Sequence, residues 1–202
     1  MDQEKQIDPK TAQARGRRKL LLVLLICAAP LLASYFTYYV VKPVERNNYG
    51  TILDPRRYPI PEMNTTTLDG KPRTINDLKG KWIMLRTGSG QCDEECMRQL
   101  YAMRQWRIMQ GKNMERMERV WLITDNKPLD TVVMREYDGT EMLRAPADIV
   151  TKWLPTEPDT KPGDHIYMID PLGNLMMRFP NQPQPGKVYK DIVKLLKASA
   201  IG

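Results

Sequence analysis

Histidine and cysteine are scarce in this chain. Its 202 residues include one His, His165, and three Cys. The single histidine is a candidate metal ligand, so no credible Ser/His/Asp triad can form. A phosphate-binding loop is also missing, since the Gly-Ser-Gly sequence at residues 88–90 lacks the following Lys and the wider motif. The sequence contains no internal repeat and no low-complexity segment. These absences exclude triad hydrolases, P-loop nucleotide-binding proteins and repeat architectures.

The charge is moderately basic, with 31 Lys and Arg against 24 Asp and Glu and a formal net charge of +7. Much of the excess lies beside the apolar segment near the N-terminus. The other basic residues alternate with acidic ones and form no stripe with aromatic residues. We therefore expect no nucleic-acid binding, and we interpret the basic excess as solvated surface with some attraction to anionic lipid.

One long apolar segment, residues 20–41, carries no charge and is long enough to cross a membrane as a helix. Four basic residues lie within residues 15–19, and fewer follow the segment, which places the N-terminus in the cytoplasm. The segment is longer than the apolar core of a signal peptide, and no small-residue cleavage site closes it. The sequence predicts an uncleaved, single-pass anchor in a bacterial inner membrane, with the C-terminal domain in the periplasm.

The order of elements indicates the fold. We predict a basic cytoplasmic N-terminus at residues 1–19, the transmembrane helix at 20–41, a Pro-rich tether at 42–61 and one domain at 62–202. The domain pattern is a hairpin (residues 64–68 and 72–75), a buried strand, a helix, a second buried strand, a helical region (residues 131–137 and 145–154), two paired strands and a final amphipathic helix. A mixed α/β sheet flanked by helices, with cysteines between a strand and a helix, is typical of the thioredoxin-like fold.

Cys92 and Cys96 are the only cysteines outside the apolar segment. If both lie on one helix face, their Cβ atoms are about 5 to 6 Å apart, which allows either a shared metal ion or a disulfide. The loop containing His165 precedes a predicted strand and, in a thioredoxin-like sheet, faces the cysteines. Two thiolates and an imidazole form a soft Cys₂His set that suits copper, as Cu(I) or Cu(II). A permanent structural disulfide and an ordinary core histidine are the alternatives.

The three acidic residues between the cysteines have two interpretations. Asp93, Glu94 and Glu95 suit the positive end of a helix, where they oppose thiolate formation and attract a metal cation or a basic partner. Alternatively, they only cap and solubilise the helix. The methionines that follow are interpreted as core packing in preference to Cu(I) ligands. Cys27 lies in the apolar segment as a small apolar residue.

The anchor, the sequence WIMLRTGSGQCDEEC, the VWLITD strand and the segment DHIYMIDPLGNL resemble the SCO/SenC family of membrane-anchored, thioredoxin-like proteins. The similarity covers about residues 60–200. It implies that Cys92, Cys96 and His165 bind copper, and that the protein helps to load copper into the copper-bearing subunit of cytochrome c oxidase, together with other assembly factors. Asp93 and Met97 replace the prolines usual after each cysteine, which indicates a divergent branch.

Three functions remain open from the sequence. The first is a copper-binding assembly factor, which is not an enzyme. The second is a thiol-disulfide oxidoreductase in which Cys92 and Cys96 reduce a partner's cysteines, for example those of an oxidase subunit. The third is a non-catalytic assembly scaffold. His165 discriminates between the first two, since a three-ligand metal site needs it and dithiol exchange does not.

Overall fold

The computed structural model describes residues 9–41, 48–199 and 201, and it contains two compact units, residues 1–47 and 48–202. In the first unit, helix α1 spans Pro9–Phe36 and continues as a π-helical turn over Thr37–Val41. The part from Arg17 to Tyr39 has a mean hydropathy of 2.3, and its length and composition suffice to cross a membrane. The predicted apolar helix is therefore confirmed.

The second unit is built on one seven-stranded mixed sheet, with strand order β1-β7-β6-β3-β4-β5-β2. The adjacent strands β3, β4 and β5 are parallel, and every other pairing in the sheet is antiparallel. The strands are β1 (Thr51–Ile52), β2 (Thr66–Thr67), β3 (Trp82–Gly88), β4 (Met117–Ile123), β5 (Thr140–Arg144), β6 (Tyr167–Ile169) and β7 (Leu175–Arg178).

Four helices accompany this sheet. They are α2 (Glu94–Ile108), α3 (Thr131–Glu136), α4 (Ala147–Trp153) and α5 (Pro185–Ala198). Short 3₁₀ turns occur at Ile75–Leu78, Gly111–Arg116 and Pro162–Asp164. Helix α2 follows the central strand β3, so the cysteine segment begins at the carboxyl end of the middle of the sheet. The predicted thioredoxin-like architecture is confirmed.

Strand β3 is buried on both faces because the sheet carries a core on each side. Ile83 and Leu85 pack with the residues beneath α4, whereas Trp82 and Met84 pack with residues of α2 and α5. Side chains alternate between the two faces of a strand, which explains why this run is apolar without a break. The same alternation places Arg86 on the face of Trp82 and Met84, where α2 covers it.

The structure differs from the prediction in two strands: one predicted strand is absent, and one observed strand was not predicted. Residues 72–75 are not a strand: Pro72 makes one isolated bridge to Thr66, and a 3₁₀ turn starts at Ile75. Proline has no N–H to donate to a strand ladder, and β2 pairs with β5 instead. Strand β5 was not predicted, since only Leu143 among its residues is fully buried and the apolar pattern is weak.

The segment after the apolar helix also differs in part from a simple tether. Residues 42–47 lie outside the described residues. From residue 48 onward the chain belongs to the second unit, where β1 pairs with β7 and Leu53 is buried. The buried Asp191 carboxylate accepts hydrogen bonds from the backbone N–H groups of Tyr49 and Gly50, at 2.7 and 2.8 Å. These contacts secure residues 49–53 to the domain.

Candidate redox site

Cys92 and Cys96 form a disulfide at the N-terminus of α2, with 5.2 Å between their Cα atoms. Cys92 precedes the helix, which corrects the prediction that both cysteines lie on one helix face. Asp93 is the N-cap: its backbone is extended, and its carboxylate accepts a hydrogen bond from the Cys96 N–H at 2.9 Å. An N-cap residue has non-helical backbone angles, so the helix cannot include Cys92. Cys92 is half-buried, while Cys96 is 4% exposed.

A buried arginine lies directly behind the disulfide. The Nη1 of Arg86 donates to Cys96 Sγ at 2.7 Å, and the Arg86 side chain is 3% exposed. Its guanidinium also lies over the ring of Trp121, 5.1 Å from the ring centroid. Burial lowers the pKa of Arg86 to about 10, opposed by the negative charges of Asp93 and Glu95. The group therefore remains a cation at neutral pH, in contact with the less exposed sulfur of the pair.

Gln99, one turn further along α2, holds the guanidinium in place. Its Oε1 accepts from Arg86 Nε at 3.1 Å, and its Nε2 donates to the Gly163 carbonyl at 2.9 Å. Gly163 packs closely against the backbone of Thr87, because a Cβ on Gly163 would lie 3.0 Å from the Thr87 carbonyl oxygen. Gln99 thus links Arg86 to the loop that precedes β6.

An open cavity of about 370 Å³ borders the disulfide on the side of this loop. Cys96, Arg86, Glu95 and residues 161–164 are part of its lining. The predicted proximity between the cysteine segment and the loop before β6 is therefore present. The cavity gives a partner's side chain a place beside Cys96.

The loop that leads from β3 to the cysteines is fixed by Asp125. Its carboxylate accepts from Ser89 Oγ at 2.5 Å and from the backbone N–H groups of Gly90 and Lys127 at 2.9 and 3.2 Å. Burial acts to raise the pKa of Asp125, but these hydrogen bonds outweigh it and the pKa is lowered. Gly90 has no room for a side chain, since a Cβ would lie 2.7 Å from the Lys127 carbonyl oxygen. The Gly-Ser-Gly segment is therefore a structural turn.

His165 is fully buried, and both of its ring nitrogens are engaged. Nδ1 donates to the Phe179 carbonyl oxygen over 2.9 Å, because a carbonyl can only accept, and Nε2 lies 2.7 Å from Thr160 Oγ1. The neighbouring residues 161–164 line the cavity beside Cys96, whereas His165 does not. The structure thus brings the two cysteines together but keeps the imidazole in the core.

The oxidised form therefore does not fit a copper ion. The sulfur atoms of Cys92 and Cys96 are bonded to each other, and cysteine binds a metal ion as the free thiolate. Across the described parts of the chain, no group of three or more His, Cys, Asp and Glu side chains is arranged to hold a metal ion. The assignment of Cys92, Cys96 and His165 as copper ligands stays a prediction that concerns the reduced form.

The acidic residues around the disulfide are partly neutralised. Arg98 forms ion pairs with Glu94, at 3.8 Å, and with Glu95, while Asp93 caps the helix. On one interpretation of the sequence, these acids oppose thiolate formation. The structure adds a cation, Arg86, that acts in the opposite direction and is in direct contact with Cys96 Sγ.

Arg86 and Gln99 are the residues that the sequence analysis missed. Two signals were present: Arg86 continues the alternation of Trp82 and Met84, and Gln99 is a polar residue on the buried face of α2. A charged residue at a buried strand position requires a partner. Here the partners are Cys96 and Gln99, ten and thirteen residues further along the chain.

The sheet topology, with a disulfide where the central strand passes into a helix, defines a thioredoxin-like dithiol domain. The chain belongs to the family described as "Transmembrane-like, thioredoxin-like, C-terminal domain", whose model matches residues 82–199. A companion model, "Transmembrane-like, N-terminal domain", matches residues 10–41. The family descriptions thus agree with the apolar helix and with the thioredoxin-like unit. Among curated proteins no match was found.

Solved structures show the same fold. Yeast Sco1 with copper bound has a TM-score of 0.57 and 16% identity, covering 71% of this chain and 95% of its own. A SCO1/SenC family lipoprotein from Bacillus anthracis str. Ames has a TM-score of 0.53 and 21% identity, and the match covers 70% of this chain and 95% of the lipoprotein. A thiol:disulfide interchange protein from Bacteroides sp. has a TM-score of 0.51 and 16% identity, and the match covers 71% of this chain and 91% of that protein. The resemblance to SCO/SenC proteins is confirmed in fold, and thiol-disulfide proteins share it.

Proposed function

We propose that this protein is a membrane-anchored thiol-disulfide exchange protein whose redox centre is the Cys92–Cys96 pair. The single observation that carries the proposal is the hydrogen bond from the buried guanidinium of Arg86 to Cys96 Sγ, at 2.7 Å. A neighbouring cation stabilises a thiolate, which is the reactive form in exchange. A purely structural disulfide that closes so short a loop stabilises the fold little and needs no cation behind it.

Exchange also needs one accessible sulfur, and Cys92 provides it. Cys92 is half-buried and precedes α2, while Cys96 is nearly inaccessible. The cavity beside the pair has room for a partner's side chain. The proposed location is a bacterial inner membrane, with the N-terminus in the cytoplasm and the redox domain in the periplasm. The partners in this proposal are periplasmic proteins with a reactive dithiol or disulfide, such as an oxidase subunit.

The test is disulfide trapping with the full-length protein in membranes, in a Cys27→Ser background so that only the redox pair reacts. With Cys96→Ser, Cys96 can no longer resolve a mixed disulfide between Cys92 and a partner, and we expect covalent partners to accumulate on a non-reducing gel. The matched control is Cys92→Ser, which leaves only the buried sulfur and should trap much less. Equal absence of trapped partners from both variants would contradict the proposal.

The second candidate is copper delivery to cytochrome c oxidase, with copper as the cargo. Two observations favour it: reduction frees two soft thiolates, and the loop before His165 lines the same cavity as Cys96. His165 would first have to release Thr160. Fully reduced full-length protein, titrated anaerobically with Cu(I), should then bind one ion, and a His165→Gln variant should bind it more weakly. Absence of copper from the folded, reduced protein would refute this candidate while leaving the exchange proposal intact.

A further inference from the structure

Arg86 is a buried cation without a carboxylate partner among the residues that the structure describes. Its hydrogen bonds go to Gln99 Oε1, to the Thr87 carbonyl oxygen and to Cys96 Sγ. All three acceptors are uncharged in the oxidised protein. Asp93 and Glu95 act on this cation through their electric field, but among the described residues no carboxylate forms an ion pair with it. A buried charge without a direct counter-charge is unfavourable. The oxidised form therefore contains an electrostatic deficit where the guanidinium meets Cys96 Sγ.

Reduction removes that deficit. When the disulfide opens, a thiolate on Cys96 would lie in hydrogen-bond contact with the guanidinium, and both charges would be compensated in a low-dielectric interior. We propose that Arg86 is the positioning residue that makes Cys96 the leaving group of exchange and that raises the reduction potential of the Cys92–Cys96 disulfide. This inference rests on the proposed function, and it names the sulfur that leaves and the residue that controls it.

The electron flow of the proposed step is balanced. A partner thiolate attacks Cys92 Sγ, a new sulfur–sulfur bond forms between the partner and Cys92, and the Cys92–Cys96 bond breaks. Its electron pair remains on Cys96 Sγ, whose negative charge is matched by Arg86. A second partner thiolate then attacks the partner's own sulfur and releases Cys92. The partner dithiol is thereby oxidised to a disulfide, and the Cys92–Cys96 pair is reduced.

The geometry distinguishes the two sulfurs clearly. Cys96 alone contacts the cation, and its backbone N–H is bound by the Asp93 side chain at the start of α2. Trp121 covers the guanidinium, and Gln99 fixes its orientation, so that Nη1 stays directed at the sulfur. Attack at the more exposed Cys92 expels the stabilised thiolate, whereas attack at Cys96, which is 4% exposed, would expel the sulfur that lacks this contact.

The experiment compares full-length Arg86→Met with the parent, both in the Cys27→Ser background. Each is equilibrated in glutathione redox buffers, and the fraction of reduced pair is read by thiol alkylation. Methionine fills similar volume but carries no charge. We expect the equilibrium constant for reduction to fall by about tenfold or more, since hydrogen bonds to charged groups are strong; tenfold corresponds to about 30 mV for this two-electron couple. Arg86→Lys keeps the charge but loses the fork geometry of the guanidinium, so its equilibrium constant for reduction should lie between those of the parent and Arg86→Met.

Arg119→Met is the matched control. Arg119 is also a buried arginine of the central sheet, but its Nη2 donates to the Asp138 carbonyl oxygen, away from the disulfide. Its replacement should leave the equilibrium constant for reduction of the Cys92–Cys96 pair within about twofold of the parent's value. Urea unfolding of the oxidised proteins verifies that each variant is folded.

Two outcomes separate this inference from the proposed function. If folded Arg86→Met has the parent's potential, or shifts it no further than Arg119→Met, the role of Arg86 is refuted even if partners are trapped on Cys92. If the potential shifts but no partner is trapped, the inference on Arg86 holds and the proposed function fails. Because glutathione serves as the exchange reagent, the measurement needs no identified partner.

Discussion

The two predicted metal-ligand positions, the Cys92–Cys96 pair and His165, differ in what surrounds them. Cys96, disulfide-bonded to Cys92, borders an open cavity and contacts a cation that has no carboxylate ion-pair partner among the described residues. His165 is fully buried, with one ring nitrogen bound to the Phe179 carbonyl and the other to Thr160. The disulfide region changes its bonding on reduction, whereas both ring nitrogens of His165 already have hydrogen-bond partners. Chemical residue type alone does not reveal this difference.

The largest effect that tests this comparison is expected from His165→Gln. Glutamine cannot reproduce both ring hydrogen bonds, and loss of a buried partner costs about 1–3 kcal/mol. We expect the free energy of unfolding to fall by that amount, measured by urea titration with tryptophan fluorescence. The reduction potential of the pair should stay at the parent's value, since His165 does not line the cavity. A shift in potential as large as that of Arg86→Met would show that the two regions are coupled.

A smaller effect is expected from Gln99→Leu, which removes the side chain between Arg86 and Gly163. The guanidinium would lose its alignment without losing its charge. We expect the potential to shift in the same direction as in Arg86→Met but by only about threefold in the equilibrium constant. The glutathione assay measures it. A shift in the opposite direction would mean that Gln99 competes with the thiolate for Arg86 instead of orienting it.

The smallest effect concerns the loop before the cysteines and depends on pH. The folded-state pKa of Asp125 is lowered, so its hydrogen bonds contribute stability above its unfolded-state pKa, and that contribution is lost as the pH falls through the lower folded-state value. Asp125→Asn should therefore reduce the free energy of unfolding by about 0.5 kcal/mol at pH 7. The difference from the parent should decrease below about pH 4. A gap that persists unchanged at pH 3 would contradict the assignment.

Several features could be predicted from the sequence because they depend on local pattern. The uncharged run predicts an apolar helix, and the continuous apolar residues of β3 and β4 predict strands buried on both faces. The order of elements and the cysteine segment between strand and helix predict the thioredoxin-like fold. Even the start of α2 was readable, since Asp93 followed by two glutamates is a capping pattern.

Other features depend on contacts between distant parts of the chain. Strand β5 owes its existence to parallel pairing with β4, and residues 49–53 are held by Asp191 and β7. Neither is encoded in a local hydrophobic period, so the pattern left residues 140–144 unassigned between two helical segments and indicated a tether for residues 49–53. Pairing partners and buried carboxylates become visible only when the sheet is assembled.

The sequence by itself determined which residues were available for chemistry: two cysteines four positions apart, one histidine, and a domain attached to an apolar helix. Only the tertiary structure decided how they are used. It turned His165 toward Phe179 and Thr160, and it brought the side chain of Arg86 under Cys96. The physical reason is that hydrogen-bond partners and counter-charges are set by proximity in space. The same residue types in the same spacing can therefore serve metal binding or electron exchange.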